Sequence, residues 1–377
     1  MKSTGAKESR QVSENELDLS LNGDQSDEVI QTLKPFRRMH PGDARSLSRL
    51  TANSVDLVVT SPPYWRKRDY KLENQIGQEK TPEEYVTNII SAMREWRRVL
   101  RPSGSVFLNI GDTYWQTSLQ GIPSSIEVKA KKDGWRLRNR IVWVKSGGTP
   151  DPAKDRLTPR HEYILHFALN GYYYDLFGYA EQYSSKNTGA NPGDVWTIKR
   201  ERNLGKHLAP FPSEIAERVI TLACPKYVCT KCGTPRRRIV QRTAELDPSR
   251  PQAKRAMELA KQKGLTPEHF AAIQATGISD AGKARFTQSG TNKNAEDVKR
   301  LAAEAKALLG GYFREFTFAK RKSCGWADCG CGVQFAPGVV LDPFMGTAKT
   351  LDVAQKLGRS CIGVDLDLSA VEERAQQ

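Results

Sequence analysis

The sequence contains no apolar run approaching ~18 residues, the length a membrane-spanning helix requires, so no part of it is expected to cross a bilayer. Its first residues lack the apolar core of a secretory signal. They stay polar through about Glu28 and read as a disordered tail, so the protein is expected in the cytoplasm. Cysteine is scarce and odd in number, seven in 377 residues, and clustered, which disfavours a disulfide framework and favours metal binding or free thiols. No internal repeat is evident. Acids are outnumbered: 43 Asp and Glu face 58 Lys and Arg, a net charge of +15. Such an excess suits a polyanionic partner, nucleic acid before membrane. The length allows one large or two ordinary domains with a substantial core.

Thr60-Ser61-Pro62-Pro63-Tyr64-Trp65 is the most informative stretch. Val55 to Val59 before it read as a short, β-branched strand, which puts Ser-Pro-Pro-Tyr at a strand's carboxyl end, where open α/β sheets bind ligands. Two prolines fix φ and remove two N–H donors, leaving rigid carbonyl acceptors beside the Ser61 hydroxyl and the Tyr64 ring. Such a cup suits a planar group carrying an NH2. Further on, Thr81-Pro82-Glu83-Glu84 is a capping box opening a helix with Val86, Ile89, Ile90, Met93 and Leu100 at helical spacing. A strand over 105–110 ends in Gly111-Asp112. A helix near 124–132, a strand over 141–144, a strand pair at 163–167 and 172–174, and a helix over 211–223 complete an alternating α/β pattern.

Past Pro225 the character changes. Residues 233–323 hold 19 Lys or Arg against nine acids. Val298, Leu301, Ala302, Ala305, Leu308 and Leu309 form one apolar helical stripe, so a basic helical insertion that contacts polyphosphate is expected. The chain then returns to α/β grammar. Val339-Val340-Leu341 is a buried strand, Asp342-Pro343-Phe344-Met345-Gly346 its turn, a helix runs to Leu357, and Cys361 to Val364 is a strand ending in Asp365. Strand, glycine turn, helix, strand and terminal acid form a nucleoside-binding βαβ unit, in which a carboxylate such as Asp365 can accept both ribose hydroxyls. A Walker loop is excluded, because Pro343 and Ala348 stand where its glycines are needed.

Together these motifs resemble the DNA amino-methyltransferases that use S-adenosylmethionine, in the arrangement where the catalytic motif, Ser61 to Tyr64, precedes the cofactor motif, Asp342 to Gly346. Trp143-Val144-Lys145 and His207-Leu208-Ala209-Pro210-Phe211-Pro212 resemble further family segments in the expected order. The resemblance implies a circularly permuted, Rossmann-like methyltransferase sheet of about seven strands, mostly parallel with its last hairpin antiparallel, whose first two strands come from the C-terminus. It implies Ser61, Pro62, Pro63 and Tyr64 as catalytic residues. For the cofactor it implies Asp365 at the ribose, Asp43 facing the adenine, Asp342, Phe344 and Gly346 in the pocket, and Pro210 and Phe211 at the methionine end. Double-stranded DNA is the implied partner, with a cognate restriction endonuclease in a prokaryotic or phage setting.

An exocyclic amine is a poor nucleophile because its lone pair is delocalised into the ring. Ser61 and the Pro62 carbonyl can hold its hydrogens while Tyr64 stacks on a base taken out of the duplex. A carbon-5 cytosine methylase would need a Cys nucleophile, usually after Pro, and the chain has only Cys224-Pro225. Ser at the head of the motif is more typical of cytosine-N4 than of adenine-N6 transfer, which stays as the alternative. Because Ala348 replaces a family glycine and Lys349 puts a cation in a helix's first turn, a degenerate, DNA-binding scaffold is a third reading.

Cys229-x-x-Cys232 and Cys329-Gly-Cys331 can form a zinc-ribbon-like tetrahedral site, with Cys324 a candidate substitute ligand. The expected organisation is a tail over 1–33, a catalytic half over 34–223, a zinc-ribbon-like segment with the basic insertion over 224–336, and a cofactor half over 337–377. Only a short stretch, Leu176 to Asp194, is left for sequence recognition, so the insertion is expected to share that task.

Overall fold

The structure is a computed structural model that describes residues 32–147, 152–183, 191–199, 201, 211–278 and 295–375. The expected tail up to residue 31 and the segment 202–210, including Pro210, lie outside the described residues.

Eight strands form the main sheet: β1 (Arg37–Pro41), β2 (Val55–Thr60), β3 (Leu100–Ile110), β4 (Arg136–Ser146), β5 (His161–Ala168), β6 (Val195–Lys199), β7 (Val339–Asp342) and β8 (Ser360–Asp365). Their spatial order is β1-β8-β7-β2-β3-β5-β4-β6. The strand β5 runs antiparallel to both of its neighbours and the other pairings are parallel. The C-terminal strands β7 and β8 thus lie between β1 and β2, inside the sheet.

Side chains alternate between two helical layers. Val58, Val106 and Leu108 pack against α1 (Pro82–Val99) and α2 (Ile122–Lys132). On the other face, Leu57, Val59, Phe107 and Val340 meet α3 (Ser213–Ala223) and α4 (Lys349–Lys356). All six residues of β2 are buried, as a central strand covered on both faces requires. The helix α1 begins at the predicted box: the Thr81 hydroxyl accepts from the Glu84 N–H, and Glu84 reaches back to the cap.

Three expectations are corrected. The sheet has eight strands, because Val195–Lys199 adds an edge with alternating burial beside β4. Residues 172–174 are not a strand, since β3 and β4 already occupy both edges of β5. The strand after α1 starts at Leu100 and not near Ser105, its register slipping between Val55 and Leu57.

Between Val228–Cys229 and Phe335–Ala336, which pair antiparallel, the chain makes a long excursion. It holds a ribbon of Arg238–Arg242 with Arg321–Trp326 and helices at Pro251–Gln262, Pro267–Thr276 and Ala295–Leu309. The predicted stripe is its core: Val298, Leu301, Ala302, Ala305 and Leu309 are buried.

Candidate active site and the four-cysteine cluster

The carboxyl ends of β1, β2, β3, β4, β7 and β8 open on one cleft of about 1140 Å3, joined by the amino end of the antiparallel β5. Ser61, Pro62, Pro63 and Tyr64 line it together with Asp43, Phe211, Asp342, Phe344, Gly346 and Asp365, so every described non-cysteine residue predicted for the site shares one cavity. The sheet order accounts for this. Because β7 sits against β2, the two motifs leave adjacent strands side by side.

At the catalytic corner the Tyr64 hydroxyl donates to Glu162 Oε2 at 2.6 Å, and Asn109 Nδ2 lies 2.8 Å from that hydroxyl, 3.0 Å from Glu162 Oε2 and 3.3 Å from Ser61 Oγ. Lys145 closes the group by pairing with Glu162 Oε1. Burial, reinforced by the Glu162 charge, pushes the Tyr64 phenol well above its ordinary pKa, so it stays protonated and remains a donor. The ring lies over Gly111, where a Cβ would come within 2.9 Å of Cε2; only glycine fits there. The Pro63 carbonyl accepts from Tyr85 Oη at 2.9 Å, tying the motif to α1.

At the second corner Asp342 is buried, accepting from Thr60 Oγ1 at 2.7 Å and from the Phe344 N–H at 3.2 Å. Its carboxylate therefore fastens the end of β7 to the end of β2. Burial lifts its pKa to about 6 despite those donors. Asp365 accepts the Gly346 N–H at 2.8 Å, and burial raises it as well. Gly346 has φ +49° and nothing within 4 Å of a Cβ position, so its backbone borders open cleft. Burial works to raise Asp43, but hydrogen bonds and charge from Arg45 outweigh it and hold the carboxyl below its usual range.

Ala348 adopts φ +60° at the cap of α4, a left-handed conformation that glycine would hold without strain. Lys349, a cation in the first turn of that helix, is balanced by Glu201 at 2.6 Å, which also accepts the Ser213 N–H at the start of α3. Asp112 caps α2 through the Gly121 and Ile122 N–H groups. Phe211 packs against the α3 layer and lines the cleft.

At the neck of the excursion the sulfurs of Cys229, Cys232, Cys329 and Cys331 lie within 4.8 Å of one another. Cys324 is not among them; its sulfur faces Gln241 Oε1 at 3.3 Å. As a candidate substitute ligand it stands apart from the cluster, in the Arg321–Trp326 strand of the ribbon. The sequence reading missed Asn109 and Glu162, whose meeting with Tyr64 depends on strand order and not on local spacing. Lys145, within the Trp143-Val144-Lys145 segment, reaches the same group from β4.

A sheet of this order, with motifs at its carboxyl edge and a glycine turn facing an acid, is the layout of an α/β fold suited to binding a nucleoside. The pattern of the DNA methylase family, the N6/N4 methyltransferases, matches residues 55–228 and 336–376, and the chain belongs to that family. The type II methyltransferase M.SmaI of Serratia marcescens is 34% identical over 234 residues, covering 54% of this chain and 79% of that protein. The type II methyltransferase M.MwoI of Methanothermobacter wolfeii is 37% identical over 185 residues, 48% of this chain but only 26% of its own length. Among solved structures, the cytosine-N4-specific PvuII DNA methyltransferase superposes with a TM-score of 0.51 at 15% identity, covering 92% of this chain and 89% of its own, a likeness of fold. The family match omits 229–335, the excursion whose ends pair at Val228 and Ala336.

Proposed function

We propose that this DNA methylase transfers a methyl group from S-adenosylmethionine to the exocyclic N4 of a cytosine swung out of double-stranded DNA. The observation that carries the reading is the shared cleft: an amine-binding corner at Ser61 and Pro62 and a nucleoside-binding corner at Gly346 and Asp365 open on the same space. The pocket fits the cofactor in kind, since Gly346 leaves room beside the half-buried Asp365 carboxylate, which suits a ribose diol. Asp365 would hold the ribose, Asp43 the adenine side, Asp342 and Phe344 the turn between them, and Phe211 with Pro210 the methionine end. When bound there, the cofactor supplies a methyl group on a positively charged sulfur.

The protein's part is to bind, orient and exclude water. With the Pro63 carbonyl engaged by Tyr85, the Pro62 carbonyl and Ser61 Oγ serve as acceptors for the two amino hydrogens. Asn109, Glu162 and Lys145 fix the Tyr64 ring against which the base packs. Holding the amine in line with the methyl group supplies much of the acceleration, and no covalent enzyme intermediate is needed. Serine at the head of the motif supports cytosine-N4 over adenine-N6. The chain order, with β7 and β8 lying inside the sheet, supports a circular permutation. The division into halves at 34–223 and 337–377, interrupted by 224–336, follows from it. The type II relatives support pairing with a restriction endonuclease that reads the same site.

The test is incubation with methyl-labelled S-adenosylmethionine and mixed-sequence duplex DNA, followed by nucleoside mass spectrometry. N4-methylcytosine is expected. N6-methyladenine overturns the base assignment, and DNA binding without cofactor binding or transfer would identify a degenerate scaffold.

A further inference from the structure

We infer that Cys229, Cys232, Cys329 and Cys331 hold one zinc ion as a tetrathiolate, and that this ion closes the neck of the helical excursion. The four sulfurs lie within 4.8 Å of one another, near the edge of about 3.8 Å that four Zn–S bonds of ~2.3 Å would set. Each sulfur therefore neighbours all three others. A tetrahedral ion demands that arrangement, whereas two disulfides would need only pairs.

Burial does not account for the convergence. Cys224 and Cys361 are thiols packed into the apolar core, but Cys232 is exposed and Cys329 and Cys331 are half-exposed. The backbone instead presents the sulfurs. The Gly233 N–H donates to the Cys229 carbonyl and the Cys229 N–H to the Thr234 carbonyl, both at 3.0 Å, forming a tight knuckle. Gly233, Gly330 and Gly332 take φ of +70°, +70° and +63°, so each short segment doubles back around its cysteines. Thr230 fastens one knuckle to the other through the Gln334 carbonyl at 2.8 Å. The cluster would carry a net charge of −2 when metallated. The Arg101 guanidinium, paired with Asp56, reaches the same knuckle: its Nη1 lies 2.5 Å from where a Cβ on Gly233 would stand.

All-sulfur tetrahedral coordination selects zinc or iron, and a closed site with four protein ligands is the structural zinc pattern. The ion would join two knuckles about a hundred residues apart in sequence. The helices between them would then leave the sheet from a fixed base.

The test uses the untagged full-length chain, expressed with zinc and iron both supplied, and elemental mass spectrometry. Stoichiometric zinc is expected, with Cys232→Ser and Cys331→Ser losing most of it and Cys324→Ser retaining it. Should the serine variants fail to fold, cobalt exchange into the wild-type chain decides instead, the intense visible bands of a tetrahedral cobalt thiolate being expected. Negligible zinc, iron in its place, or four thiols that titrate freely without a chelator would overturn the inference. Metal content is read independently of methyl transfer, so this inference stands or falls apart from the catalytic one.

Discussion

Replacing Glu162 by Gln tests whether the Tyr64 network positions the base. Three donors converge on this carboxylate: the Tyr64 hydroxyl at 2.6 Å, Asn109 Nδ2 at 3.0 Å and the Lys145 ammonium. Glutamine keeps the shape but offers one acceptor oxygen and one NH2, so one end must face donors. In either orientation the neutral amide deprives an ammonium only 12% exposed of its counter-charge, and its NH2 meets either that ammonium or Asn109 Nδ2. Breaking a buried ion pair from one side costs about 3–5 kcal/mol, and the open cleft argues for the lower end. A loss of about 3 kcal/mol in positioning corresponds to a rate reduction of roughly 150-fold. Single-turnover methylation with saturating cofactor and DNA should show that fall in rate, while the Kd for cofactor stays close to wild type. Adding Lys145→Met should cost less than the sum of the two single changes, since no orphaned charge then remains. A Glu162→Gln enzyme within about threefold of the wild-type rate, or strict additivity in the double variant, would refute the reasoning.

Other consequences are equally direct. Asp365→Asn removes a charged acceptor and should weaken S-adenosylmethionine binding about 10–100-fold by calorimetry, with DNA affinity unchanged. Trp115 stands half-exposed on a two-residue hairpin whose Gln116 and Thr117 have positive φ, with the Arg66 guanidinium 3.9 Å from its ring centroid. Trp115→Ala should weaken DNA binding roughly tenfold, as loss of one stacking platform does, without affecting cofactor binding. Buried His166, stacked on Phe107 at 4.1 Å, is held neutral by burial, with Arg138 adding to the effect, so that its pKa falls to about 3. The unfolded chain takes up that proton near ~6.5, so the contribution is complete above this pH and is lost as pH falls toward the folded value. Between pH 7.5 and 5, urea unfolding of the wild type should lose about 2 kcal/mol more than that of His166→Gln.

Much of this architecture is legible in the residues. The β-branched run before Ser61, the capping box at Thr81 and the strand-turn-helix from Val339 are local signals, and their elements form close to where those signals fall. The cysteine knuckles are readable for the same reason, because spacing within each is short. Where the reading failed, pairing decided. Residues 172–174 have strand composition but no free sheet edge, and Val195–Lys199 gains strand form from β4, although its alternation of buried and exposed residues was a usable sign. Glu162 and Asn109 meet at Tyr64 only because β5 runs antiparallel beside β3, which brings its first residues to the edge where the parallel strands end. The helix-dipole argument against Lys349 was sound locally but took no account of Glu201, which arrives from 148 residues away in sequence.

Val228 and Ala336 are direct partners across an antiparallel pair, a separation of about 5 Å that a two- to four-residue turn can span. A segment whose entrance and exit are neighbours can be lost, lengthened or exchanged without altering the path of the chain on either side. The excursion between them is thus a portable attachment. Closing it with a short hairpin would show whether the excursion takes part in choosing where this methylase acts.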